Sequence, residues 1–257
     1  MLALKLGLVA ASVLLASLAA RRFGHTVSGT LAGMPMIAGP IMGFVLLQPP
    51  MAHARAIALA TLVSLPAMVL HLVLFARSAS RLRWPAALAL ANAAYLALGA
   101  LLTALDPPPV LASVAALVAP AIGLACMPRL GGARLAVTIP GVELALRVVS
   151  ALAMAAAILL GAAVFPPAVS GLMLAIPITG NVLPCFTLPR DGAGATAALL
   201  VGFVRGLFGF AAFFVALYWG LGMFDTGPAY ALGWLAALAA ALTVYLVTTS
   251  MNRLRAR

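Results

Sequence analysis

Nine runs of about twenty apolar residues follow one another along this chain, with almost no charge inside them. A run of that length matches the roughly 30 Å hydrocarbon core of a bilayer when it is helical. Only 7% of the 257 residues are charged, 65% are hydrophobic, and the mean hydropathy is +1.20. A soluble domain carries about 25% charged residues. Too little polar surface remains to coat a water-soluble globule, so the expected fold class is an all-α polytopic membrane protein. A transmembrane β-barrel would need short alternating segments, and these long Ala- and Leu-rich runs lack that period. The first twenty residues have the Lys5, apolar core and small residues near Ala20 of a signal peptide. They are also long enough to cross unaided, and we read them as the first span.

The spans are expected near 3–20, 27–48, 55–76, 85–105, 109–127, 144–164, 167–188, 194–219 and 228–250. A net charge of +11 would fit a nucleic-acid partner. It is better explained by membrane topology, because Lys and Arg collect in cytoplasmic connections. With the N-terminus outside and the C-terminus cytoplasmic, twelve of the fifteen basic residues fall inside, from Arg21 and Arg22 to the tail Arg253, Arg255 and Arg257. Lys5 and Arg55 fall outside, and Arg205 falls within a span. If 27–48 only dipped into the bilayer, Arg77, Arg81 and Arg83 would land outside. The charge pattern therefore favours full crossings by kinked or broken helices. No nucleic acid is expected as a partner; the bilayer is, and a homo-oligomer stays open.

Two of these spans carry the same break. Val27-Ser28-Gly29 is followed by Pro35, and Val169-Ser170-Gly171 by Pro177, at an offset of 142. Proline removes a backbone donor and kinks a helix. Such breaks survive in a membrane where they are buried in protein or line a wet cavity. The expected break residues are Pro35 and Gly39 in one copy, Pro177 and Gly180 in the other. One span precedes each motif and two follow it, the last opening at Pro85 or Pro228. The expected organisation is a four-helix repeat over 1–107, a linker helix and basic connection over 108–142, and a second four-helix repeat with a basic tail over 143–257. An odd linker span inverts the second copy. Inverted repeats with discontinuous helices are a common architecture of secondary transporters.

Val27-Ser28-Gly29 with Pro35, then a span holding Arg55 and Ser64-Leu65-Pro66, then Arg81-Leu82-Arg83-Trp84-Pro85, resembles the GlpM family. Those are small bacterial inner-membrane proteins of about four spans, and this chain is similar to two such units fused. The resemblance is strongest over 20–105. Over 160–250 Arg55 has no basic counterpart, and Ser64-Leu65-Pro66 meets Gly206-Leu207-Phe208. It implies a bacterial inner (cytoplasmic) membrane and brings no defined activity.

Arg205 is the sharpest single residue. A charge at mid-membrane costs roughly 2.5–3.5 kcal/mol on an insertion scale, and arginine does not lose its proton to avoid that cost. It must meet a wet cavity, an acid, backbone carbonyls or an anionic ligand. Its counterpart in the first repeat is Val63. Asn181 and Thr179 follow the second break and offer neutral hydrogen-bonding groups. Ser28 and Ser170 open their spans, where they would contact a solute or cap the helix. Glu143 and Arg147 are spaced for a local ion pair. His71 reads as a helix–helix hydrogen-bonding residue. The scattered His25, His53 and His71 and the distant Cys126 and Cys185 give no metal or disulfide framework, and no nucleotide loop or nucleophile set is present. Neither enzymatic activity nor a cofactor or metal is expected. The reading is a secondary transporter or permease for a small solute, anionic or zwitterionic, bound between the repeats by Arg205, Asn181, Thr179, Ser28 and Ser170. The alternatives are a non-transporting membrane scaffold or accessory subunit, and a lipid-handling membrane protein.

Overall fold

The computed structural model describes residues 2–47, 50–128, 139–162, 172–173 and 175–255. Among them every regular element is a helix. In chain order these are α1 (Leu2–Phe23), α2 (His25–Gly33), α3 (Ala38–Leu46), α4 (Met51–Ser78), α5 (Trp84–Leu105), α6 (Pro109–Cys126), α7 (Gly141–Ala162), α8 (Ile178–Gly220) and α9 (Thr226–Arg255). Seven candidate crossings are long and apolar enough among the described residues: α1, the α2–α3 pair, α4, α5, α6, α8 and α9.

Local chemistry places the boundaries. α5 stops at Asp106, which adopts a left-handed conformation with φ 43°. Three prolines follow, and Pro109 opens α6, where a missing N–H costs nothing. α8 is 43 residues long. At about 1.5 Å per residue that is far more than one bilayer thickness. Its path bends at Gly192, which has φ 80° and ψ −179°, a backbone state essentially confined to glycine. Gly192 lies between the expected spans 167–188 and 194–219, of which 167–171 and 174 lie outside the described residues.

α4 and α8 form the centre. Each has 67% of its apolar window buried, against 17% for α5 and 11% for α9. Leu62, Leu65, Leu72 and Phe75 of α4 share a core with Leu200, Phe203, Leu207 and Phe214 of α8. Phe213 adds an edge-on contact to Trp234 of α9, ring centroids 5.3 Å apart. A second cluster joins Val9 and Val13 of α1, Ala151 and Ala155 of α7, and Ile178 and Val182 at the start of α8. Outside, Leu96, Leu101, Val110, Leu111, Leu235 and Leu242 are exposed. An apolar surface that extensive needs lipid around it.

The closest helix pair is α2 with the 193–220 half of α8. Gly29 and Gly33 face Gly202 and Gly206, four residues apart on each side. A methyl on Gly29 would overlap the Leu199 carbonyl oxygen, and one on Gly33 the Phe203 carbonyl oxygen. Reciprocally, a methyl on Gly202 would overlap the Thr26 oxygen and one on Gly206 the Thr30 oxygen. The two backbones touch with no side chain between them. Small residues four apart permit this in membranes, where van der Waals packing replaces the hydrophobic drive between helices.

Candidate functional site

The first break lies between α2 and α3. Met34 is extended, with φ −73° and ψ 163°, and its N–H reaches back to the Leu31 oxygen at 3.2 Å. Pro35 stands inside this gap. The second break precedes α8: Pro177 is its N-cap residue, with ψ 82°. Two of the four break residues read from the sequence stand elsewhere. Gly39 is inside α3 and Gly180 inside α8. Their small size serves packing instead. A methyl on Gly39 would lie 2.6 Å from the Trp234 ring, and one on Gly180 would lie 2.8 Å from Pro177 and 3.1 Å from Leu72.

The two breaks meet. The Thr179 hydroxyl donates to the Ala32 carbonyl at 3.2 Å, across 147 residues of sequence. Ala32 and Ile37, flanking the first break, pack in one cluster with Met173, Ile176 and Ile178, flanking the second. Thr179 and Asn181 are each 3% exposed. The Asn181 amide donates to the Pro177 carbonyl at 3.2 Å, while its Oδ1 is buried without a partner among the described residues. An unpaired buried acceptor costs about 1–3 kcal/mol. On the α4 side of this junction His71 is fully buried and edge-on to Tyr95 at 6.5 Å. The Ala91 and Gly180 backbones lie near its ring, but neither ring nitrogen makes a hydrogen bond of normal geometry. The Tyr95 hydroxyl donates to the Leu172 carbonyl.

Arg205 sits on α8 between Gly202 and Gly206, roughly 20 Å along the helix from the Gly192 bend. It is partly exposed, on a stripe with Val201, Phe208 and Ala212. Its Nε is buried and unpartnered among the described residues. Phe203, on the same turn, touches Gly33, so Arg205 belongs to the helix turn against the C-terminal end of α2. No hydrogen bond joins Arg205 to Thr179, Asn181 or Ser28 among the described residues. Ser28 is 1% exposed and is not a helix cap. Gly24, with φ 87°, occupies the N-cap position of α2, which starts three residues before Ser28. The capping expectation for Ser28 is therefore corrected. Ser170 lies outside the described residues.

Sequence reasoning missed a charged cluster at the other end of α2. Glu143 accepts two bonds from Arg147, at 2.6 and 3.0 Å, as their spacing suggested. It also accepts from Arg190. Arg190 faces Asp191 at 3.7 Å, and His25 Nε2 faces Asp191 Oδ2 at 3.3 Å. Arg147 is only 2% exposed and lies over the Phe186 ring at 5.6 Å. Apart from the Glu143–Arg147 step and the adjacent Arg190 and Asp191, these residues are too far apart in sequence for any local signal. The glycine seam did leave one: both GxxxG spacings are spelled in the sequence.

A surface cavity of about 480 Å³ lies away from the breaks, lined by Leu221, Gly222, Met223, Phe224, Asp225 and Pro228. Arg55 stands near it, over the Tyr218 ring at 4.7 Å. No group of three or more His, Cys, Asp or Glu suited to a metal occurs among the described residues. The chain matches no family model, no curated protein and no solved structure.

Proposed function

We propose that this membrane protein is a secondary transporter or permease for a small anionic or zwitterionic solute. Nine crossings would carry it, as two GlpM-like four-helix units in inverted orientation joined by α6, in a bacterial inner membrane. The element order supports this division. A helix, an interrupted segment and two helices precede α6, and a helix, a segment interrupted before Ile178, the 193–220 helix and α9 follow it. The observation that carries the function is the meeting of the two breaks at the Thr179–Ala32 bond. Two buried polar atoms of α8 have unused capacity: Asn181 Oδ1, two residues from Thr179, and Arg205 Nε, beyond the Gly192 bend. Discontinuous helices meeting near the bilayer midplane form substrate sites in such folds. The open end of α8 contributes N–H groups that favour anions, and Arg205 contributes a fixed positive charge.

One observation favours the scaffold reading. The glycine seam is closed backbone to backbone and leaves no gap between α2 and α8. Thr179→Cys, in a chain with Cys126 and Cys185 replaced by alanine, separates the two. A transporter exposes this position to each side in turn. A membrane-impermeant thiol reagent should then modify it both in intact cells and in inverted vesicles. Absence of labelling from both sides, with the variant folded, would overturn the transport reading in favour of the scaffold.

A further inference from the structure

Two glycines in this chain share one rare backbone state. Gly24 has φ 87° and ψ 174°, and Gly192 has φ 80° and ψ −179°. Both belong to a region that residues with a side chain avoid. No heavy atom lies within 4 Å of a methyl built on either one, so the conformation, not crowding, requires glycine. Each is a joint between helical stretches, α1 to α2 and 178–191 to 193–220. His25 directly follows the first joint and Asp191 directly precedes the second. Their side chains face each other at 3.3 Å, 12% and 21% exposed. One contact between an imidazole and a carboxylate thus closes the space between both joints.

The charges around this pair are balanced while His25 is neutral. Glu143 and Asp191 offset Arg147 and Arg190, and the four interlock through α7 and α8. Asp191 Oδ2 is buried and has no regular hydrogen bond among the described residues; the His25 ring is what faces it. A proton on His25 would bring a third cation into this space. Arg21 and Arg22 add further positive charge in the last turn of α1. Arg21 donates to the Ile139 carbonyl and Arg22 lies over Phe23. His25 is also the first residue of α2, where the helix dipole opposes a positive charge. Only Asp191 and Glu143 favour the charged ring, and both are already engaged by arginines.

We propose that His25 and Asp191 form a proton-binding clasp between the two glycine joints, closed while His25 is neutral and released when His25 takes up a proton. With Nε2–H turned to Asp191, the lone pair of Nδ1 accepts H⁺ from water, and no other covalent bond changes. Asp191 attracts the charged ring, but a charge on a side chain only 12% exposed is short of water; opening this end hydrates it, and Gly24 and Gly192 absorb the rotation. The clasp does not depend on solute transport, and a protein that moves no solute would still show it.

The test uses the full chain in detergent, as midpoints of thermal unfolding between pH 8 and pH 5. The wild type should lose roughly 2–4 °C on acidification, the shift of a modest stability change in a chain of this size. His25→Gln keeps an N–H donor for Asp191 and binds no proton, so its midpoint should stay flat relative to wild type. His53, His71 and Glu143 are present in both proteins and cancel in the difference. Asp191→Asn removes the closest anion and should move the wild-type loss to lower pH by about one unit. Hydrogen exchange, corrected for intrinsic rates, should rise several-fold at pH 5.5 over 20–30 and 187–196 in wild type alone. Equal acid losses in wild type and His25→Gln, or no loss in wild type, would overturn the proposal. So would an Asp191→Asn transition at the wild-type pH.

Discussion

Gly202→Val should lower the midpoint of thermal unfolding by roughly 6–12 °C, or prevent the protein from being recovered folded. The reason is geometric. A methyl at Gly202 overlaps the Thr26 oxygen and lies 2.8 Å from the Thr26 carbonyl carbon. Both neighbours are backbone, so no rotamer change relieves the contact. α2 and α8 would have to separate along their closest line. Overpacking typically costs about 1–3 kcal/mol where side chains can adjust, and here the upper end applies. Gly29→Val and Gly206→Val attack the same seam and should match it. Gly227→Val is the control, because nothing lies within 4 Å of a methyl there. Unfolding in detergent micelles is the measurement. If Gly202→Val unfolds at the temperature of Gly227→Val, the seam is not a close packing contact.

The second large effect is expected at Glu143. Among the described residues this carboxylate takes two bonds from Arg147 and another from Arg190. Arg147 is 2% exposed. Glu143→Ala leaves that guanidinium buried over the Phe186 face, with Asp191 as the more distant remaining counter-charge among the described residues. A buried ion pair stripped of one partner typically costs about 3–5 kcal/mol, because an uncompensated charge remains. Glu143 is itself 16% exposed, and water entering its place puts the loss near the lower figure. Replacing both partners avoids the stranded charge. Glu143→Ala/Arg147→Met should therefore recover most of the stability lost by Glu143→Ala alone. A double variant no more stable than the single one would show that Arg147 is not held by this carboxylate. The pair then acts mainly through what its loss exposes, as is usual for ionic groups in low-dielectric surroundings.

Much of this architecture is legible in one dimension because its causes are local. Apolar run length marks the helices, since a bilayer thickness converts directly into residues. Pro35 and Pro177 mark helix interruptions, since a missing N–H acts where it stands. Glu143 and Arg147 announce their bond because four residues make one helical turn. Other features have no such trace. Thr179 and Ala32 are 147 residues apart, and neither has any property that names the other. Asp191 and His25 are ordinary residues next to glycines until the helices bring them to 3.3 Å. Ser28 shows the opposite failure: its type suggests a cap, but the helix had already begun at His25 behind Gly24.

Residue order and hydropathy were thus enough for a lipid-embedded bundle of helices with two interrupted segments. Each of those properties adds up along a short stretch of chain and needs no distant partner. Which glycines close on which carbonyls, where the breaks meet, and that five ionisable residues from three helices share one cluster emerged from packing. Those contacts exist only after helices remote in sequence have settled side by side, and their distances are set by every helix pair at once.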